Sequence, residues 1–216
     1  MKPYYEESGI TIYHGDCRDV LPDVDPVAVS LVLTDPPYGI NLATNYGERG
    51  RHKNATAKDY APVAGDDQPF DPAPLLRFGR CVLWGANNYA SLLPDSQSWI
   101  VWNRLTGESA DAELAWSNLG GTARMFTHMW NGYLRDSERG FSVHPTQKPV
   151  ALMRWVIARA TEPGDLVLDP YMGSGPVARA CMDLDRRYIG VELVERYCEI
   201  AAKRLAQGVL DFGGVG

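Results

Sequence analysis

The chain has 216 residues, a formal net charge of −6, 45% hydrophobic and 22% charged residues, an ordinary globular composition with room for one sizeable core. No run of 18 or more apolar residues occurs, which excludes a membrane-spanning helix, and the opening MKPYYEESGI lacks the apolar stretch of a secretory leader, so a cytoplasmic location is expected. The acidic total argues mildly against nucleic acid as a partner, although a local basic face remains compatible with it.

Short apolar runs alternate with helix-like segments. Strands are expected at Ile10–Tyr13, Val27–Leu33, Cys81–Trp84, Trp99–Trp102, Glu113–Trp116, Ala123–Thr127, Leu166–Leu168 and Tyr188–Val191. Several are continuous apolar runs, which suits strands covered on both faces. Between the second and third lies 40–69, polar, rich in Gly, Asn and charge and without periodicity, the pattern of a long functional or mobile loop. Helices are expected over Pro149–Thr161, Pro176–Asp183 and Val194–Ala206, with Pro149 and Pro176 at first helical positions, where the missing N–H costs nothing. The alternation predicts one α/β domain over 1–216 with a largely parallel sheet. Cys17, Cys81, Cys181 and Cys198 form no CxxC pair and no metal-ligand spacing with histidine, so free, packed thiols and no metal site are expected.

Four segments can carry chemistry. Asp35-Pro36-Pro37-Tyr38 follows a strand, and ligands bind at the carboxyl ends of strands in open α/β sheets. The prolines stiffen the turn and remove N–H donors, leaving a carboxylate, a fixed Pro36 carbonyl and an aromatic face. Such a pocket suits a planar NH2 group: the two acceptors hold its nitrogen and oppose the positive charge that grows on it during attack. A plain strand-end turn would read the same. Next, Leu166 to Ala180 reads LVLDPYMGSGPVARA, a strand ending at Asp169, a glycine turn, then a helix. This is neither GxGxxG nor a phosphate loop, so a nucleoside cofactor without phosphates fits better than a nucleotide. Glu192 stands 23 positions after Asp169 at the end of the next strand, where an acid commonly binds ribose hydroxyls. Finally, His144-Pro-Thr-Gln-Lys-Pro149 precedes a helix, so Thr146 and Lys148 could meet a carboxylate; by itself it reads equally as a polar loop.

Together these segments resemble the permuted, beta-class DNA amino-methyltransferases, from Gly15-Asp16-Cys17 through Leu205. The resemblance implies the S-adenosylmethionine-dependent methyltransferase fold, Rossmann-like, with a mostly parallel seven-stranded sheet carrying one antiparallel strand. It implies S-adenosylmethionine as cofactor, S-adenosylhomocysteine as product, no metal, and methylation of a flipped base in DNA, in restriction–modification or another setting. Asp35, Pro36, Pro37 and Tyr38 would bind the target amine. Asp16, Cys17, Thr146, Lys148, Asp169, Tyr171, Gly173, Ser174, Gly175 and Glu192 would hold the cofactor. Tyr171 replaces the family's usual Phe, and Pro176 its usual Thr, removing an expected hydroxyl contact.

The chain departs from the family in lacking room for a large target-recognition domain, since only about two dozen residues separate Trp116 from Val143. DNA contacts are therefore expected from Arg49, Arg51 and Lys53 in the 40–69 loop and from Arg135 and Arg139, each of which also reads as solvated surface charge. Asp rather than Ser before Pro-Pro-Tyr favours adenine N6, with cytosine N4 as the alternative. An RNA or protein amide methyltransferase would usually place the glycine motif before Pro-Pro-Tyr and begin it with Asn, and a silent partner subunit would not need both motifs intact. A homodimer is compatible with these features.

Overall fold

A computed structural model of the chain describes residues 1–42, 62–105, 110–130, 136–138 and 147–206. Among them, nine strands form one sheet: β1 (Tyr5–Glu7), β2 (Ile10–His14), β3 (Leu31–Thr34), β4 (Cys81–Trp84), β5 (Ser98–Asn103), β6 (Ala112–Ser117), β7 (Arg124–Thr127), β8 (Leu166–Asp169) and β9 (Arg187–Glu192), ordered β1-β2-β9-β8-β3-β4-β6-β5-β7. The helices are α1 (Cys17–Val20), α2 (Ala73–Leu76), α3 (Val150–Ala160), α4 (Pro176–Asp183) and α5 (Glu195–Ala206), with short 3-10 turns between.

All eight expected strands are present, and the second starts at Leu31 rather than Val27. The expected seven-stranded sheet is the run from β2 to β5, in which β6 is the antiparallel strand, paired with β4 and β5. The sheet has two more strands than expected. β7 adds parallel to β5 at one edge, and β1 adds antiparallel to β2 at the other. β1 escaped notice because a three-residue YEE strand has no apolar alternation to reveal it.

The apolar runs are continuous because successive side chains enter two different cores. On one face Leu31, Leu33, Val82, Trp84 and Val167 pack with α3, α4 and α5; on the other Val32, Cys81, Leu83, Leu166 and Leu168 pack with α1, α2 and Phe70. A strand covered on both faces has no polar side to show, and each fully buried aliphatic side chain contributes roughly 1.5–3 kcal/mol. α3 buries Val150, Met153, Ile157 and Ala160, one stripe at helical spacing. Pro149 caps α3 in an extended conformation instead of opening its first turn, and the Glu138 carboxylate accepts the Val150 N–H at 2.6 Å. Pro176 does stand at the start of α4. All four cysteines are buried free thiols, and no helix among the described residues is long and apolar enough to cross a membrane.

β3 and β8 are neighbours and run parallel, Leu31 beside Val167 and Val32 beside Leu168. The turn after Thr34 and the turn after Asp169 therefore leave the same edge of the sheet side by side, although 135 residues separate them in the chain.

Candidate active site

At that edge a single cavity of about 610 Å³ is lined both by Asp35 to Tyr38 and by Tyr171, Met172, Gly173, Ser174 and Glu192. A hydrogen bond at 2.6 Å from the Thr34 hydroxyl to Asp169 joins the two strand ends.

At the β3 end, Pro36 is buried and Asp35 retains 22% side-chain exposure. The Tyr38 hydroxyl donates to Asp35, and its ring closes against Gly85, where a Cβ would sit 2.0 Å from a ring carbon. Gly85 also has a φ of 67°, so any side chain there would be both strained and displaced by the ring. Burial pushes the Asp35 carboxyl above the usual carboxylate range, and the Lys148 ammonium opposes that push. Burial together with the Asp35 charge holds the Tyr38 phenol protonated, well above the usual value.

Lys148 is held by two carboxylates and a phenol. Its side chain is only 3% exposed, and its ammonium pairs with Asp35, with Glu113 at 3.3 Å and with the Tyr38 hydroxyl at 3.2 Å. It therefore contacts Asp35 and Tyr38 while lining the same cavity as Ser174 and Glu192. A buried ammonium needs carboxylate partners, and the partly exposed Asp35 and Glu113 supply them. Burial alone would lower its pKa, but Asp35 and Glu113 outweigh that and hold it cationic. Arg104 pairs with Glu113 at 2.9 Å, which makes the chain Asp35–Lys148–Glu113–Arg104 balanced in charge. Glu113, Arg104, Trp84 and Gly85 were not singled out in the sequence, where an acid near the start of a strand and a glycine after an apolar run carry no distinctive spacing.

At the β8 end, Glu192 accepts the Gly173 N–H at 2.8 Å through one oxygen and the Val194 N–H at 2.8 Å through the other. Burial raises its carboxyl above the usual range, and these N–H groups pull it back. Asp169 is buried and pushed up to about 7 by desolvation, with Thr34, the Tyr171 N–H and the Tyr188 hydroxyl acting in the opposite direction. Asp16 caps α1 and is paired with Arg18 at 2.5 Å, while Cys17 is buried at the start of that helix; both line the cavity. Tyr171 packs edge-on against Phe70. Gly175 faces Ala201 of α5, whose Cβ would lie 2.8 Å from an added Cβ. Thr146, Arg49, Arg51, Lys53, Arg135 and Arg139 lie outside the described residues.

The cavity suits a nucleoside-type ligand carrying a carboxylate and an ammonium. Two of its buried lining groups, the Ser174 hydroxyl and the Trp84 indole N–H, have no hydrogen-bond partner among the described residues. Such groups are costly when left unpaired and suit ligand acceptors. Glu192 and Asp169 supply carboxylates for hydroxyl or ammonium donors.

Comparison with known proteins gives the same direction. The N6/N4-type DNA methylase family matches residues 94–203. Among curated proteins, the chain is 24% identical to the type II methyltransferase M2.LlaDCHI of Lactococcus lactis subsp. cremoris, over 96% of this chain and 93% of that one. It is also 24% identical to M2.DpnII of Streptococcus pneumoniae, over 94% and 92%. Among solved structures, the M1.HpyAVI–SAM complex aligns with a TM-score of 0.57 at 25% identity, covering 91% of this chain and 100% of that one. The cytosine-N4-specific PvuII DNA methyltransferase aligns with a TM-score of 0.65 at 18% identity, covering 99% and 91%, a likeness of fold.

Proposed function

The chain belongs to the N6/N4 DNA methylase family and is an S-adenosylmethionine-dependent DNA methyltransferase, and from that premise we propose that it methylates the N6 amine of an adenine lifted out of the DNA stack. One observation carries the reading: acceptors for an amine and a nucleoside-sized recess share one cavity, at the ends of two adjacent parallel strands. S-adenosylmethionine supplies a methyl group on a sulfonium, which is already a good leaving group. The protein's work is then positioning and electrostatics. Asp35 and the Pro36 carbonyl accept the two N–H bonds of the amine, and Tyr38 offers a face for the base. An amine paired within a duplex cannot reach the end of β3, so the base leaves the stack. Asp35 at the head of the Pro-Pro-Tyr turn favours adenine over cytosine. Phosphate contacts fall to Arg49, Arg51, Lys53, Arg135 and Arg139, and the enzyme works in the cytoplasm.

The test is transfer of labelled methyl from S-adenosylmethionine to genomic DNA, followed by digestion to nucleosides. N6-methyladenine is the expected product. N4-methylcytosine would move the target to cytosine, and label in RNA or protein but not in DNA would overturn the proposal.

In the cofactor half, Glu192 binds the ribose hydroxyls, Ser174 the methionine carboxylate and Asp169 the ammonium. A hydrogen bond to a charged group is worth roughly 1.5–3 kcal/mol, so Glu192→Ala should weaken cofactor binding about tenfold or more. Unchanged affinity by calorimetry would remove Glu192 from that role.

A further inference from the structure

Beyond the Pro-Pro-Tyr residues themselves, we infer that Asp66 is a positioning residue for methyl transfer, its carboxylate fixing the backbone that carries the Pro36 carbonyl and the Tyr38 ring. The inference rests on the proposed methylation of a base amine in this cavity.

Asp66 belongs to the end of the polar 40–69 segment, where Gly65, Asp67, Gln68 and Pro69 are all exposed. Asp66 alone among them is buried, at 5% exposure, and it lines the same cavity. A carboxylate leaves water only against strong donors, and here the donors are backbone. One oxygen accepts the N–H groups of Tyr38 at 2.9 Å, Gly39 at 2.9 Å and Ile40 at 3.3 Å; the other accepts Leu42 at 2.6 Å. The Asp66 carbonyl accepts the Asn41 N–H at 2.8 Å. Five consecutive residues after the prolines thus turn around one residue.

The reason this matters for chemistry lies in the two prolines. Pro36 and Pro37 have no N–H, so the first backbone donors after Asp35 are those of Tyr38 and Gly39, and Asp66 takes both. The Tyr38 ring is held from elsewhere, by Gly85 beneath it and by Asp35 and Lys148 at its hydroxyl. Asp66 therefore supplies the main-chain anchor of a turn whose side chains are anchored independently. Without it the Pro36 carbonyl and the stacking ring lose a common reference, while the β8 end of the cavity keeps its own contacts through Glu192 and Asp169.

The experiment uses the full chain with Asp66→Asn and Asp66→Ala, S-adenosylmethionine and a DNA that the wild-type protein methylates. Three quantities are measured: cofactor affinity and stoichiometry, DNA affinity, and the single-turnover rate at saturating DNA. Cofactor should bind one to one with affinity within about twofold of wild type. The single-turnover rate should fall on the order of ten- to a hundredfold, the scale of a small misplacement at a reacting centre. Asp66→Asn should fall less than Asp66→Ala, since the amide keeps one acceptor oxygen. A rate within about twofold of wild type at saturating DNA, with any loss confined to DNA affinity, would overturn the inference. So would loss of one-to-one cofactor binding in Asp66→Asn, which would make Asp66 a residue of the fold alone. Wild-type protein that binds cofactor yet methylates no DNA would instead overturn the proposed function, before any variant is made.

Discussion

Asp35→Ala should lower the rate of methyl transfer by on the order of 10²-fold or more, the scale seen when a preorganised electrostatic partner of a reacting group is removed. In the role proposed for it the carboxylate opposes the positive charge that develops on the attacking nitrogen, so its loss should act on the transition state more than on binding, and kcat should fall further than KM rises. The fold should tolerate the change. Lys148 keeps Glu113 at 3.3 Å and the Tyr38 hydroxyl at 3.2 Å when Asp35 is gone, so its ammonium is not left without a partner. Cofactor affinity should be preserved, because the residues proposed to hold the cofactor, Glu192, Ser174 and Asp169, stand at the β8 end. Burst measurements with labelled cofactor would give the rate, and calorimetry the affinity. A variant with near-normal turnover would take Asp35 out of the reaction.

Lys148→Met should be the most damaging change at the site, through two effects that can be measured separately. The first is stability. The ammonium is buried against Asp35 and Glu113, whose side chains are 22% and 27% exposed. Breaking a buried pair from one side costs about 3–5 kcal/mol in general, and Arg104 still compensates Glu113 at 2.9 Å, so the lower end applies. The second effect is on activity against pH. Burial already raises the Asp35 carboxyl, and Lys148 is the main opposing influence; the Tyr38 hydroxyl bond also lowers it, while Glu113 raises it. Removing the ammonium must raise Asp35 further. Activity requires the ionised acceptor and is present above the pKa of Asp35, so the acid limb of the kcat profile should move to higher pH in Lys148→Met. A protonated Asp35 would present an O–H to the amine where an acceptor is needed. Lys148→Arg, which keeps the charge, should leave the limb closer to wild type. Thermal melts check the first effect and pH–rate profiles the second; superimposable acid limbs in wild type and Lys148→Met would show that Lys148 does not govern Asp35.

A great deal of this protein is decided within short stretches of chain. The eight longer strands are legible because β-branched and aromatic runs of four to six residues, bounded by turn residues, have few other uses. The three long helices are legible from their spacing and prolines. The two reactive turns are legible because each has local chemistry that ordinary turns lack: two prolines after an acid at Asp35, and glycines around a serine after Asp169. What only the tertiary structure decided is who meets whom across the sheet. β3 beside β8 puts two motifs 135 residues apart into one cavity. β6, running antiparallel beside β4, carries Glu113, and the end of β5 leads to Arg104. Lys148 was read as a partner for a cofactor carboxylate because its motif says only that a cation precedes a helix; that its ammonium also pairs with Asp35 and Glu113 is visible only in the fold. Asp66 has no distinctive spacing in its polar loop, and the four backbone N–H groups that its carboxylate accepts are announced by no side-chain pattern. Local motifs determine which groups can react, because their chemistry is carried by neighbours in the chain. Charge pairing and backbone anchoring depend on distances in space, and those come from the order of strands in the sheet.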